Sequence, residues 1–404
     1  MSTKLLNVFY HKAHEKLKVG RLAYENRIIY FEYDKEFLNN GIELSPYKLP
    51  LKSGVQICED RIFDGLFGLF ADSLPDGWGR LLIDRHLMNK GIDFHTITPL
   101  DRLMMIGEFG TGALSYEPII DTYNNHDNID LDTLAYSSQQ ILKGVSASNI
   151  ETLIANNGSS AGARPKIMVQ INSENQIISG NQALQTGYEH YMVKFASTTD
   201  HFDIGKLEYV YSLMAKDASI DITDTKLIEG KDNSYFAIKR FDRVNDTRIH
   251  MHSLAALVHS DFRIPTIDYD DILTLTFHLT RDIAEVQKAY KLAVFNLLTH
   301  NRDDHAKNFS YILDTNNNWK FSSAYDLTFS SGPGGEHSTT YLGVGKNPNR
   351  KELLELAKKH SIKNSNEIIE NIFSVVQNFK EYANKVGINK KYVDDVFNQF
   401  VKLN

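Results

Sequence analysis

His300-Asn-Arg-Asp-Asp-His-Ala-Lys-Asn-Phe-Ser310 sets a dense run of charged and amide side chains between two apolar segments of different period. Upstream, Val286, Ala289, Tyr290, Ala293, Val294 and Leu297 recur at the three- and four-residue spacing of one helix face. Downstream, Phe309-Ser-Tyr-Ile-Leu313 is a short apolar run that reads as a strand. The polar cluster therefore lies on a loop between a buried helix and a strand, where a rigid scaffold presents reacting groups.

Inside the loop, Asp303 and Asn308 stand in Asp-x-x-x-x-Asn spacing directly after Arg302. Protein kinases use this spacing in their catalytic loop, where the Asp accepts the proton of the attacking hydroxyl and the Asn ligates Mg²⁺. Lys307 is then placed to neutralise charge on the phosphoryl group in flight. A polar loop with capping and turn residues explains the same spacing. A metal-dependent hydrolase with His300, Asp303, Asp304 and His305 as ligands is a third reading. The loop alone does not choose among them.

With 404 residues the chain is long for one core, and two or three domains or lobes are expected. The net charge of −7 argues against non-specific nucleic-acid binding by this chain alone. A single cysteine, Cys58, excludes an internal disulfide and fits a reducing compartment. The sequence has no apolar run of the roughly 18 residues needed to span a membrane. The stretch Met1-Ser-Thr-Lys-Leu-Leu-Asn-Val-Phe-Tyr-His-Lys12 has too short an apolar core for a secretory signal, so a cytoplasmic location is expected.

Residues Leu5–Tyr10, Val19–Tyr24 and Ile28–Tyr33 read as strands, with Glu25-Asn26-Arg27 turning between the last two. A helical stretch with Leu66, Leu69, Phe70 and Leu74 leads to Asp72-Ser-Leu-Pro-Asp-Gly-Trp-Gly-Arg80, whose Pro75-Asp76-Gly77 triplet is a turn signal. A helix is expected from Trp78 through Leu87, and another over Asp101–Ile106. Gly107-Glu-Phe-Gly-Thr-Gly112 reads as a backbone turn, because no helix clearly follows it to make a phosphate site. The polar stretch Asp121–Thr133 is the candidate linker.

A second glycine-bearing loop, Asn157-Gly-Ser-Ser-Ala-Gly-Ala-Arg-Pro-Lys166, precedes the strand Ile167–Ile171. Small residues let backbone approach a ligand, and successive N–H groups cradle phosphate oxygens, although a hairpin turn is the plain alternative. Tyr191-Met-Val-Lys194-Phe195 is a strand with one charged residue, which either faces solvent or meets phosphates. Kinases place a strand lysine after the phosphate-covering loop and before the catalytic loop, and this chain has that order. A helix at about Lys206–Ala218 carries Glu208, which is either solvated or a partner for Lys194. The strand Tyr235–Lys239 runs into Arg240-Phe-Asp-Arg243, where two lobes would join. After the strand Trp319–Phe321, Asp326 is a candidate second metal ligand or a turn former, and Ser330–Gly335 reads as a flexible segment, a lid near the substrate. Near the C-terminus, Ile368, Ile369, Ile372, Val375, Val376 and Phe379 form one apolar helical stripe.

Taken in this order, the Gly/Ser loop, strand lysine, Asp-x-x-x-x-Asn and later Asp resemble the HipA family, serine/threonine kinase toxins of bacterial toxin–antitoxin pairs. The resemblance covers nearly the whole chain and is most specific at Ala161-Gly-Ala-Arg-Pro-Lys166, Arg240-Phe-Asp-Arg243 and Asp304-His-Ala-Lys-Asn-Phe-Ser310. Leu74-Pro-Asp-Gly77 resembles the signature of the family's N-terminal subdomain.

The resemblance implies an α+β, protein-kinase-like two-lobed fold with a β-rich N-terminal subdomain and a mostly helical C-terminal lobe. The expected division is 1–120 for that subdomain, 134–240 for the kinase N-lobe and 241–404 for the helical C-lobe. Asp303 would be the catalytic base, assisted by Lys307. Asn308 and Asp326 would hold Mg²⁺, and Lys194 with the loop residues Ala161, Gly162 and Ala163 would hold the ATP phosphates. Backbone at Lys239 and Phe241 would meet adenine. Ser159, or the adjoining Ser160, falls where family members autophosphorylate, which ejects the loop and inactivates the kinase. Family members often carry Asp-Gly-His where this chain has Asp303-Asp304-His305; the spacing to Asn308 assigns the base role to Asp303.

The implied partners are a small helix-turn-helix antitoxin, operator DNA contacted mainly through it, and a protein substrate such as an aminoacyl-tRNA synthetase. Two alternatives differ in class: a non-catalytic nucleotide-binding modulator of an antitoxin or repressor, and a small-molecule or lipid kinase of the same fold.

Overall fold

The computed structural model describes residues 5–120, 129–159 and 162–403. The strands β1 (Leu5–Lys12), β2 (Glu15–Glu25), β3 (Ile28–Tyr33), β4 (Val55–Ile57) and β5 (Leu114–Glu117) form an antiparallel sheet in the order β4-β3-β2-β1-β5. Alternation sets its inner face: Leu6, Val8 and Tyr10 are buried with Leu22, Ile29, Phe31 and Tyr33. Asn26 and Arg27 both take positive φ between β2 and β3, the geometry that matches a tight hairpin to strand twist.

A second sheet contains β6 (Lys166–Asn172), β7 (Ile177–Ser179), β8 (Tyr188–Lys194), β9 (Thr225–Glu229) and β10 (Ser234–Lys239), ordered β7-β6-β8-β10-β9. One face, with Ile167, Val169, Tyr191, Val193 and Ala237, packs on Trp78 and Leu82 of the helix Gly77–Asn89 and on Leu153. The period of two then sends Lys166, Met168, Gln170, His190, Met192 and Lys194 to the other face. In register, Lys166 lies opposite Lys194 and Met168 opposite Met192. The strand lysine is thereby turned into a cleft instead of toward solvent.

The remaining core is helical. The helix Ile283–Leu298 lies within it, and Val286, Ala289, Tyr290, Ala293, Val294 and Leu297 are all buried. Each such aliphatic side chain contributes on the order of 2 kcal/mol. Asp282 caps the start by accepting the Ala284 N–H, and His300, at φ +55°, turns the chain after Thr299. The loop that follows feeds Ser310–Leu313, the middle strand of an antiparallel trio with His250–Ser253 and Trp319–Phe321.

Two expectations change here. The C-terminal stripe belongs to two helices, Ser365–Gln377 and Phe379–Val386. Asn378 interrupts it, its side-chain amide donating to the Ser374 carbonyl, a local bond that competes with helix continuation. The candidate linker ends in a capped helix, Leu131–Leu142, with Asp130 accepting from Asp132 and Thr133; residues 121–128 of that stretch lie outside the described residues. Among the described residues no helix is long and apolar enough to cross a membrane.

Candidate active site

The loop 300–308 divides its neighbouring carboxylates. Asp304 is buried and accepts four hydrogen bonds: from the Tyr269 hydroxyl at 2.9 Å, His337 Nδ1 at 2.8 Å, and the peptide N–H groups of Ser338 and Thr339 at 2.9 and 3.2 Å. It is a structural anchor. The Asp303 side chain is 59% exposed, with His305 Nε2 3.9 Å from its carboxylate. Burial of part of the group lifts the Asp303 carboxyl above the ordinary range; His305 opposes this and the Asp326 carboxylate adds to it. A raised carboxylate suits a general base.

Asn308 donates its side-chain N–H to the Asp303 carbonyl at 2.7 Å. Its Oδ1 has no hydrogen-bond partner among the described residues and so remains a hard oxygen donor. The hydrolase reading of this loop is corrected. Asp304 is spent inside, and His300 donates Nδ1–H to the Ser330 carbonyl at 3.2 Å with its ring stacked on Phe329. His300, Asp303, Asp304 and His305 do not converge on a metal-sized point.

Lys194 lies buried across the cleft, its Nζ 2.7 Å from Glu208 on the helix Ile204–Asp217 and paired also with Asp326. Burial alone would lower the Lys194 pKa; Asp326 and Glu208 outweigh it and hold the ammonium charged. Burial likewise opposes ionisation of Asp326, but Lys194, Lys166 and Arg164 keep its carboxyl far below the usual range. Asp326 takes φ +55°, an uncommon backbone state for a non-glycine residue and one that clusters at functional positions. Glu208, weighed from sequence as solvated or paired, is paired and buried; it also accepts from Arg164 Nη1 at 3.3 Å.

In the glycine-bearing loop, the Ser159 hydroxyl is buried, accepting the Thr111 N–H at 2.6 Å and donating to Thr111 Oγ1 at 3.0 Å. Ser160 and Ala161 lie outside the described residues. Gly162, at φ +102°, donates its N–H to Asp76 Oδ1 at 2.5 Å and accepts the Trp78 N–H at 3.0 Å. Ala163 follows, its Cα within 2.9 Å of where a Cβ on Gly77 would stand. Lys307 pairs with Asp76 and lies 4.5 Å from the centre of the Phe262 ring.

At the lobe junction, the Lys239 N–H donates to the Asp224 carbonyl and its C=O accepts the Thr223 hydroxyl, at 2.8 and 2.6 Å. Both Lys239 backbone groups are thus engaged within the protein. The Phe241 N–H makes no hydrogen bond among the described residues, and its ring lies 5.6 Å from that of Tyr325. Asp242 is chelated by Arg240 and Arg243 and accepts the Gly112 N–H at 2.8 Å. Arg243 and Arg248 donate to the carbonyls of Gly110, Gly112 and Leu114. The loop 107–112 is therefore a docking turn. A cleft of about 130 Å³ opens beside this junction, lined by Asn156, Met168, His190, Arg240, Arg243 and Arg248 among others. The segment Ser330–Gly335, expected to be flexible, is pinned: Arg302 Nη1 donates to the Gly335 carbonyl and Gly332 donates to Ser330 Oγ.

Sequence reasoning missed Asp76, whose Pro-Asp-Gly context carries turn chemistry with no mark of a distant partner. It also missed the anchoring of Asp304, for which an aspartate in place of the family's small residue was the available signal.

A profile of the HipA-like C-terminal domain matches residues 158–401, and one of the HipA N-terminal domain matches residues 6–117. None of the curated protein sequences compared matches. Among solved structures, the fold is similar to HipA in the Shewanella oneidensis MR-1 toxin–antitoxin complex of HipA, HipB and operator DNA. That match has a TM-score of 0.70 and 16% identity, covering 98% of this chain and 95% of that one. The Helicobacter pylori proinflammatory kinase CtkA matches at 14% identity over 57% of this chain and 93% of its own, with a TM-score of 0.37, too low to bear on the fold.

Proposed function

The chain belongs to the HipA family, and from that premise we propose that it is an ATP-dependent serine/threonine protein kinase, the toxin of a bacterial toxin–antitoxin pair. The observation that carries this reading is the convergence of Lys194 with Glu208 and Asp326 across the cleft from the open carboxylate of Asp303. A buried lysine held charged between two carboxylates is poised to take phosphate oxygens once nucleotide enters.

Asn308 Oδ1 and the Asp326 carboxylate are oxygen donors of the kind Mg²⁺ prefers, and they would hold it. When bound, the ion supplies charge neutralisation on the phosphate oxygens. Lys194 would fix the nucleotide phosphates, with Gly162 and Ala163 covering them, and the Phe241 N–H would meet the base. Asp303 would orient the acceptor hydroxyl and take its proton. The catalysis is then mainly positioning and electrostatic stabilisation.

The partner named in the Shewanella complex supports a HipB-like helix-turn-helix antitoxin here, with operator DNA contacted mainly through it. A cytoplasmic protein substrate, such as an aminoacyl-tRNA synthetase, completes the proposal. Autophosphorylation would fall at Ser159 or Ser160; at Ser159 it would require the hydroxyl to leave the Thr111 contact into which it is turned.

Intact-mass spectrometry after incubation with Mg²⁺-ATP, with Asp303→Ala in parallel, tests the reading. Phosphate added to the wild type alone and mapped to Ser159 or Ser160 is the expected result. Unphosphorylated starting protein that binds nucleotide yet gains no phosphate, on itself or on a protein acceptor, would favour the non-catalytic modulator.

A further inference from the structure

Asp76 is the N-cap residue of the helix Gly77–Asn89, yet its carboxylate makes no capping bond to that helix. An aspartate at an N-cap ordinarily satisfies the helix's own free N–H groups. Here Oδ1 accepts the Gly162 N–H at 2.5 Å, and Oδ2 pairs with the Lys307 ammonium. The contact is built in. Gly77, at φ +41°, comes so close to Gly162 that an added Cβ would lie 2.5 Å from the Gly162 carbonyl oxygen, and the Trp78 N–H donates to that oxygen at 3.0 Å. Phe262 holds the other side of Lys307.

A glycine-loop N–H together with a catalytic-loop lysine makes an anion cradle, and a carboxylate and a phosphoryl group are both acceptor-only anions. We propose that Asp76 is an intramolecular latch on the nucleotide site. Its carboxylate occupies the cradle formed by Gly162 N–H and Lys307, and the γ-phosphate of ATP displaces it. This rests on the kinase reading and adds a regulatory contact to it. In the closed state the latch ties the N-terminal subdomain to both the glycine-bearing loop and the catalytic loop. ATP opens it, whereas ADP, lacking the γ-phosphate, leaves it closed.

The test is calorimetric titration of the full-length wild type and Asp76→Asn with Mg²⁺-ATP and Mg²⁺-ADP. Removing a charged competitor from the cradle is expected to raise ATP affinity about tenfold with ADP affinity unchanged. Weaker ATP binding, or equal shifts for the two nucleotides, overturns the latch. In case Asp76→Asn fails to fold, hydrogen–deuterium exchange on the wild type gives an independent readout. Exchange over residues 77–80 should rise with a non-hydrolysable ATP analogue and not with ADP. The same exchange with both nucleotides overturns the latch while leaving the kinase reading intact. Failure of the wild type to bind either nucleotide overturns the kinase reading, and the latch with it.

Discussion

Asp303 and Asp304 are neighbours in the chain, yet they lie in two different regions of the molecule. Asp304 faces inward, ringed by Tyr269, His337, Ser338 and Thr339; Asp303 faces the cleft with its carboxylate largely open. The difference teaches how a reactive loop is kept in shape. One carboxylate absorbs the hydrogen bonds that fix the backbone, which leaves the other free of partners that would disable it. The buried side of the loop supplies rigidity, and on the proposed reading the open side would supply the chemistry.

The sharpest way to break this division is to exchange the costs. Asp303→Ala should lower phosphoryl transfer about a thousandfold while leaving the melting temperature unchanged, as read by a radiolabel transfer assay beside calorimetry. Asp304→Ala should do the reverse in kind. It orphans four donors in the interior and should cost about 3 kcal/mol of stability, measured by denaturant unfolding. A stable Asp304→Ala with a dead site would assign the chemistry to the wrong aspartate.

Across the cleft, Glu208→Gln removes one of the two carboxylates on Lys194 and leaves it to Asp326 alone. Misplacement of that ammonium should reduce kcat about a hundredfold under saturating nucleotide. The smallest effect lies at the root of the loop. Burial, and then Arg302, lower the His300 pKa to about 4 in the folded protein, against an ordinary 6.5. Between those values the unfolded chain binds the extra proton and the folded one does not, so stability rises with pH. Acidification to pH 5 should remove about 2 kcal/mol through this residue. Unfolding curves of wild type and His300→Asn at pH 7 and pH 5 should differ in that slope.

The elements that local periodicity specifies were legible. The alternation in Ile28–Tyr33 and Ile167–Ile171 and the helical spacing around Tyr290 each depend on neighbours within a few residues, and the folded chain keeps them. The two-lobed architecture was implied by the family resemblance that the ordered motifs carry. Pairings set by tertiary placement were harder to see. The Glu208 pairing with Lys194 could be named but not chosen over solvation, because the lysine comes from a strand and shares no local pattern with it. Asp76 and Lys307 are separated by 231 positions, and nothing in a Pro-Asp-Gly turn announces such a partner. Asn378 broke an apparently continuous stripe because hydrophobic spacing is blind to a side chain that bonds its own backbone.

Trp78 and Leu82 belong to a helix that follows the first sheet's strands β1–β4, but their side chains fill the core beneath the second sheet. The two halves are in this sense laid like roof tiles, each covering the fastening of the next. A shortened gene product beginning after β5 would present Leu153, Val169 and Val193 with an open trough where an indole and an isobutyl group had been. Such a fragment would need a substitute cover before it could remain in solution as a monomer. A split placed between β5 and the second sheet would therefore uncover that core unless the two pieces stayed together.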